Sequence, residues 1–521
     1  MKKYILFPIM VVMMGLFTAC GNLLYSDPIY EITEKQIIEL NKTNLDAVIT
    51  PLASSVEVWQ MRTLSTVVWQ TSFKVLLVGM DYKGNDMVHM VPVRESWMGR
   101  DYLMQNYRTA VPTTNELPQV WWGILFGHIY KANQFLALIP DLETVSNPET
   151  LKMLKAYKAI GLTLRAWNYT YLMWQFQDDY LNGGADKSCV PLYLEPNVPN
   201  VGRGNAKDVW NQIIADASEA VRLFNESGRN PRASYSDMDA SVANIILARA
   251  AITMGDWNTV ITAMDAVIAA HPTLMNETDY TTKGFGWLDV DEVIYGHDYD
   301  KATGGNASYH AFLGVLSDGG YGGSTQYHWA SIDSRLYDKM DDRDYRKTLY
   351  LDAPMEHTYA GAASPMTLPK YTNMKFNAPP HTGLVNYVQG NIYIRTSEAI
   401  LMKAEAQARS GQDAAAKTTL NTLLAARTKA GETTLTCDNY ASMAGMSALQ
   451  MVQLQTRIEL WGEGFEFFNN KRWNIPVNRI TPASVNHTAK IERAVKPEYN
   501  LQIPESETLY NKYITDDDQN P

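Results

Sequence analysis

Apolar residues recur at three- and four-residue steps through much of this chain. They come as pairs of segments joined by tight polar or glycine-bearing turns, the pattern of antiparallel amphipathic helices. Trp122, Leu125, Ile129, Asn133 and Leu136 form one stripe between Pro118 and Pro140. Its partner begins near Leu151, carries Leu154, Tyr157, Gly161, Leu164, Asn168 and Tyr171, and stops at Gly183-Gly184. A second pair holds Ala240, Ala243, Leu247, Ala251 and Met254, turns at Gly255-Asp256, and continues with Trp257, Val260, Met264 and Val267. The third is the clearest: Ile394, Ser397, Leu401, Ala404 and Ala408, a turn at Gly411-Gln412-Asp413, then Leu420, Leu423 and Arg427. Small residues at Ala404 and Ala408 let neighbouring helices approach closely, as stacked hairpins require.

The pairs resemble tetratricopeptide-like hairpins, but the intervals between them are too long and uneven for a regular array of ~34 residues. Two stretches differ in kind. From about Pro272 to Asn391 the chain carries Gly304-Gly305, Gly319-Gly320 and Gly322-Gly323 with several Tyr and His and few helical stripes, while Glu292-Val293-Ile294-Tyr295 reads as a short strand. This predicts a loop-rich insertion with short strands resting on the helices. A smaller irregular segment runs from about Asp81 to Tyr107.

The first twenty residues carry a different signal. Lys2 and Lys3 precede an apolar run from Tyr4 to Leu16 that is too short to span a bilayer, and Phe17-Thr18-Ala19-Cys20 closes it. Residues 1–19 are therefore expected to be a lipoprotein signal peptide, with Cys20 lipidated and residues 20–521 forming a single domain. No later segment is apolar for long enough to cross a membrane, since even Val75 to Met80 is followed by Asp81 and Lys83. The lipid is the expected membrane attachment. With 45 basic and 56 acidic side chains the net charge is −11, so no overall basic field exists to draw nucleic acid. Cys189 and Cys437 remain as either a bridge or two buried thiols, and no CxxC motif suggests redox chemistry.

Signals for catalysis or cofactors are weak. The acidic group Asp289, Asp291, Glu292, His297, Asp298 and Asp300 matches no calcium-loop spacing and reads as a solvated loop. Nine His residues are scattered with no zinc spacing, and Gly202 and Gly204 lack the strand, lysine and helix of a phosphate loop. No carboxylate pair is singled out for glycoside hydrolysis. The expectation is a non-catalytic protein without metal or cofactor. The 13 Trp and 30 Tyr against 13 Phe favour rings with a polar edge, which pack cores and also stack on sugars or peptides.

Five ordered stretches carry a family resemblance: WWGILFGHIYKANQFL, DEVIYG, LYDKMDDRDYRK, NIYIRTSEAILMKAEAQARSG and RIELWGEGFEFFNNKRW. Together they resemble the SusD/RagB family of lipid-anchored nutrient-binding partners of TonB-dependent outer-membrane transporters in Bacteroidetes. The last stretch is similar to a family helix, with Glu459, Leu460, Glu463, Gly464, Phe467, Phe468, Arg472 and Trp473 matching and Phe465, Glu466 and Asn469 departing. Glu459, Glu463 and Arg472 are expected to form a partly buried ion-pair network locking that last helix onto the repeats, because paired buried charges are usually structural.

The resemblance implies a mainly α, SusD-like fold and a ligand pocket made by loops above the repeats. Trp97, with Asp81, Tyr82 and Asn85 near it, lies in the first irregular segment; Tyr299, Tyr309, Tyr321, His328 and Trp329 lie in the second. If the segments converge, the rings would stack on sugar faces while the polar groups bond hydroxyls. The implied function is capture of a glycan or oligosaccharide at the cell exterior for a SusC-like TonB-dependent barrel. A peptide cargo on the same fold, or a helical scaffold that holds only a protein partner, are the alternatives.

Overall fold

The computed structural model describes residues 49–50, 52–53, 56, 73–89, 102–103, 117–229, 234–283, 285–298, 330–357, 366–376, 390–495 and 499–520. The chain divides into two compact units, Met1–Ser54 and Ser55–Pro521. Of the first, residues 49, 50, 52 and 53 are described and are helical. The signal segment and Cys20 lie outside the described residues. The fold set out next is that of the second unit.

It is mainly helical. In chain order come α1 (Phe73–Tyr82), α2 (Leu117–Ala137), α3 (Pro148–Phe176), α4 (Ala206–Ser227), α5 (Ala240–Met254), α6 (Trp257–Ala270) and the short α7 (Glu277–Thr282). After the insertion follow α8 (Thr396–Arg409), α9 (Asp413–Ala426), α10 (Ala448–Glu459), α11 (Glu466–Trp473) and α12 (Glu505–Tyr510). Helices α2 to α6 pack each on the next, α6 packs on α8, and α8 on both α9 and α10, so the expected hairpins form one continuous stack. No described helix is long and apolar enough to cross a membrane.

Local chemistry sets the helix ends. Asn147 caps α3 by accepting from the backbone N–H groups of Glu149 and Thr150, both at 3.0 Å, with Pro148 in the first turn. Asp239 caps α5 in the same way, and Gly255 leaves it at φ +80° before Asp256 caps α6. At Gly161 α2 and α3 approach closely: a Cβ there would lie 2.7 Å from Leu136 Cδ2. Every residue of α5 from Ala240 to Thr253 is buried, as befits a helix in the middle of a stack.

Four two-stranded antiparallel ladders occur among the described residues: β1 (Met87–His89) with β3 (Ala330–Ile332), β2 (Val293–Asp298) with β6 (Gly390–Arg395), β4 (Met355–His357) with β5 (Met366–Leu368), and β7 (Val477–Asn478) with β8 (Glu492–Arg493). The expected strand near Tyr295 is therefore β2. Ile394 departs from the expected helical stripe. It pairs with Tyr295 in the β2–β6 ladder, Arg395 is extended, and helix α8 starts only at Thr396.

The RIELWGEGFEFFNNKRW stretch departs from a single helix as well. It is the end of α10, a turn, and α11, because Gly462 and Gly464 adopt φ of +79° and +92°. No side chain fits at either glycine. A Cβ at Gly462 would lie 2.4 Å from Phe376 Cε2, and one at Gly464 would lie 2.4 Å from Leu77 Cβ.

Around that turn lies a buried charge cluster of four cations, Arg346, Lys375, Arg395 and Arg427, and four carboxylates, Glu292, Asp344, Glu459 and Glu463. Arg427 reaches Glu292 at 2.8 Å and Glu459 at 2.9 Å, and Arg346 reaches Glu459 at 2.8 Å. Arg395 and Lys375 meet Glu463 at 2.7 and 2.8 Å. Burial alone would raise the pKa of Glu463, but Arg395 and Lys375 overrule it and hold the group at about 2. The expected network is thus larger than its three sequence-visible members, and Arg472 belongs to a separate pair with Glu405 at 2.8 Å. Glu292 corrects the expectation of a solvated acidic loop: Asp289 and Asp291 are exposed, whereas Glu292 is held inside by Arg427 and Arg395.

Candidate functional site

The first irregular segment is anchored from the far end of the chain. Asp81, at the end of α1, accepts from the backbone N–H groups of Gly464 at 2.7 Å and Glu466 at 3.0 Å, which caps α11 from outside. Burial pushes the Asp81 carboxyl up to about 7, against the pull of those two donors. Asn85 accepts from Asn478 N–H at 2.7 Å and donates to the Pro476 carbonyl at 3.1 Å. Arg479 donates to the carbonyls of Tyr82 and Gly84 at 2.6 and 2.7 Å, and its guanidinium lies 4.4 Å from the centre of the Tyr102 ring. His487 Nε2 lies 2.9 Å from the Asn85 carbonyl and 3.0 Å from Asp333, so that nitrogen carries the proton, while Nδ1 accepts from the Tyr102 hydroxyl at 2.9 Å.

These contacts place three of the residues that the sequence expectation named. Asp81, Tyr82 and Asn85 are buried, and the polar groups of Asp81 and Asn85 are spent on the 464–478 backbone. They form the root of the first irregular segment. Trp97, Tyr299, Tyr309, Tyr321, His328 and Trp329 lie outside the described residues. Within their described parts the two irregular segments adjoin: His89 of the first and Ala330 of the second are partners in the β1–β3 ladder.

No group of three or more potential metal-ligating side chains occurs among the described residues. Cys189 and Cys437 are separate buried thiols, and burial pushes them up to about 12 and about 11.

A cleft of about 510 Å³ opens where α2, the 193–200 segment and α12 meet. Trp122, Phe126 and Ile129 of α2 form its floor, with Tyr193 beside them. Trp122 is fixed by its indole N–H to Glu507 at 3.1 Å and by edge-to-face packing on Phe176 at 5.0 Å. Tyr130 donates its hydroxyl to Asn197 at 2.9 Å across the cleft and is 43% exposed, while Tyr510 on the opposite rim is 82% exposed. Glu195 and Asn200 complete the mouth. The sequence expectation missed this cleft, because its walls come from three remote parts of the chain. The signal that could have pointed to it is Tyr510, in the Tyr510-Asn511-Lys512-Tyr513 stretch that no predicted helical stripe uses.

Two family models match the sequence, one described as the SusD family over residues 297–515 and one described as starch-binding associating with outer membrane over residues 70–247. Together they span well over half of the chain, and they meet the fold just described. The chain belongs to the SusD family. Solved structures of SusD-like proteins share its fold. A SusD-like carbohydrate binding protein from Bacteroides vulgatus is 23% identical, with a TM-score of 0.68 over 90% of this chain and 97% of its own. A SusD superfamily protein from Bacteroides thetaiotaomicron is 19% identical, with a TM-score of 0.71 over 91% of this chain and 99% of its own. Surface glycan-binding protein A from Bacteroides fluxus is 17% identical, with a TM-score of 0.62 over 91% and 99%. No curated protein matches the sequence.

Proposed function

We propose that this SusD family protein captures a glycan or oligosaccharide at the cell exterior and delivers it, unbroken, to a SusC-like TonB-dependent barrel, held to the outer membrane by lipid on Cys20. The observation that supports this most is the pairing of His89 with Ala330, which sets the departure points of the two aromatic-bearing segments side by side. Trp97 follows β1 by eight residues and Trp329 immediately precedes β3, so both rings belong to segments rooted in one ladder. A ring pair of that kind holds a sugar between its faces while neighbouring hydroxyl and imidazole groups select orientation. Tyr299, Tyr309, Tyr321 and His328 are the further proposed contacts.

Isothermal titration against a panel including maltoheptaose and laminarihexaose tests the reading. The Trp97→Ala/Trp329→Ala variant is expected to lose at least about tenfold in affinity for whichever glycan binds, the loss of two stacking faces. An unchanged affinity overturns the ring assignment, and a panel without any binder overturns the glycan cargo. Loss of palmitate labelling in Cys20→Ser checks the anchor, and co-purification with a barrel protein checks the partner.

A further inference from the structure

We infer that the cleft between α2, the 193–200 segment and α12 is a second carbohydrate site, one suited to a neutral oligosaccharide. The inference rests on the glycan-binding reading above and adds a place and a charge class to it. Exposed large hydrophobic side chains are concentrated there. Of the ten among the described residues, Tyr130, Val198 and Tyr510 line the cleft, and Leu194, Val201 and Leu509 are chain neighbours of lining residues. Patches of that kind on a folded surface mark interaction sites.

The polar groups distinguish the occupant. Glu195 and Asn200 make no hydrogen bond within the protein among the described residues, and both line the cleft together with Tyr130 and Tyr510. Unspent acceptors and donors next to ring faces match a ligand that carries hydroxyls on its edge and C–H groups on its face. The lining contains two carboxylates, Glu195 and Glu507, and no lysine or arginine. A uronate or sulfated chain would meet repulsion there with no cation in the lining to offset it. The volume falls within the range of small-ligand pockets. The floor is already ordered: Trp122 is tied to Glu507 and Tyr130 to Asn197, so binding costs little further side-chain freedom.

The test is titration of the full chain with maltoheptaose, laminarihexaose and an oligogalacturonate of similar length, comparing wild type, Trp97→Ala/Trp329→Ala and Tyr130→Ala/Tyr510→Ala. Both tyrosines are exposed, so the last variant is expected to fold normally, and Tyr130→Phe/Tyr510→Phe keeps the stacking faces as a control. Support would be two neutral-glycan sites per chain, one of them weakened about tenfold or more by the alanine pair, restored by the phenylalanine pair, quenching Trp122 fluorescence, and indifferent to oligogalacturonate. Binding abolished by Trp97→Ala/Trp329→Ala and untouched by the tyrosine variant overturns this inference while the proposed function stands. Wild-type protein that binds no glycan overturns both. A tyrosine variant that keeps all glycan binding but no longer co-purifies with the barrel makes the cleft a protein contact and also overturns the inference.

Discussion

At the centre of the unit, Glu459 is met by the guanidinium groups of Arg346, Arg395 and Arg427; in the α2–α12 cleft, Glu195 has no partner among the described residues. Both regions use carboxylates, amides and rings, but in the first every charge faces its opposite and water is excluded, whereas in the second the rings stand in solvent and the floor alone is tied down. A buried charge without its partner is costly, so the interior admits no vacancy. A surface carboxylate costs nothing to leave unpaired and is available to something else. The contrast separates side chains that hold the molecule together from those that stability does not require.

The largest effect should come from breaking the interior. Arg395→Met would leave Glu292, Glu459 and Glu463 short of a shared cation and is expected to destabilise the unit by about 3–5 kcal/mol, read from the midpoint of urea unfolding. Acid should act next. Burial works against ionised Glu463 and Glu405, but Arg395 and Arg472 respectively hold both at about 2 in the fold, below the ordinary carboxylate value of 4.5. The stability they contribute is present above about pH 4.5 and is lost as pH falls through about 2, on the order of a few kcal/mol in all. Urea midpoints measured across that window should show the slope, and Arg395→Met should show a shallower one.

Smaller still is the turn between α10 and α11. Gly464→Ala places a methyl against Leu77 at a backbone angle that L-residues avoid, and about 1–3 kcal/mol of destabilisation is expected in thermal unfolding. At the opposite end of the comparison, Tyr510→Ala should leave unfolding within about 0.5 kcal/mol of wild type, because a ring that is 82% exposed contributes little to packing. A large loss there would mean that the rim is structural and would erase the distinction between the two regions.

The sequence shows its helical hairpins well where the signal is local. Asn147-Pro148, Gly255-Asp256 and Gly411 punctuate the chain with caps and turns, and α3, α5, α6, α8 and α9 start or stop at them. Helix α4 is missing from the expected pairs although Val209, Ile213, Ala217, Ala220 and Leu223 keep a helical step and are buried. Its partner α3 is reached through the long 177–205 connection, so no tight turn announces the pair. The site was less legible. Asp81 and Asn85 sit in a polar stretch that resembles a surface loop, and the groups that bury them lie nearly four hundred positions away. Glu292 is hidden among acidic neighbours that are exposed, and only Arg427 and Arg395 distinguish it. The cleft is assembled from α2, the 193–200 segment and α12, a conjunction that only the packed chain creates.

The external cap that Asp81 supplies to α11 also sets a schedule for assembly. The carboxylate and the Gly464 amide that it receives are 383 positions apart, and Tyr82, Gly84 and Asn85 await donors from residues still further along. On a ribosome adding about 5–20 residues per second, that span takes on the order of 20–80 seconds to appear. For that time α1 has none of these lasting partners, and its apolar run must be kept from wrong ones until the clasp can close.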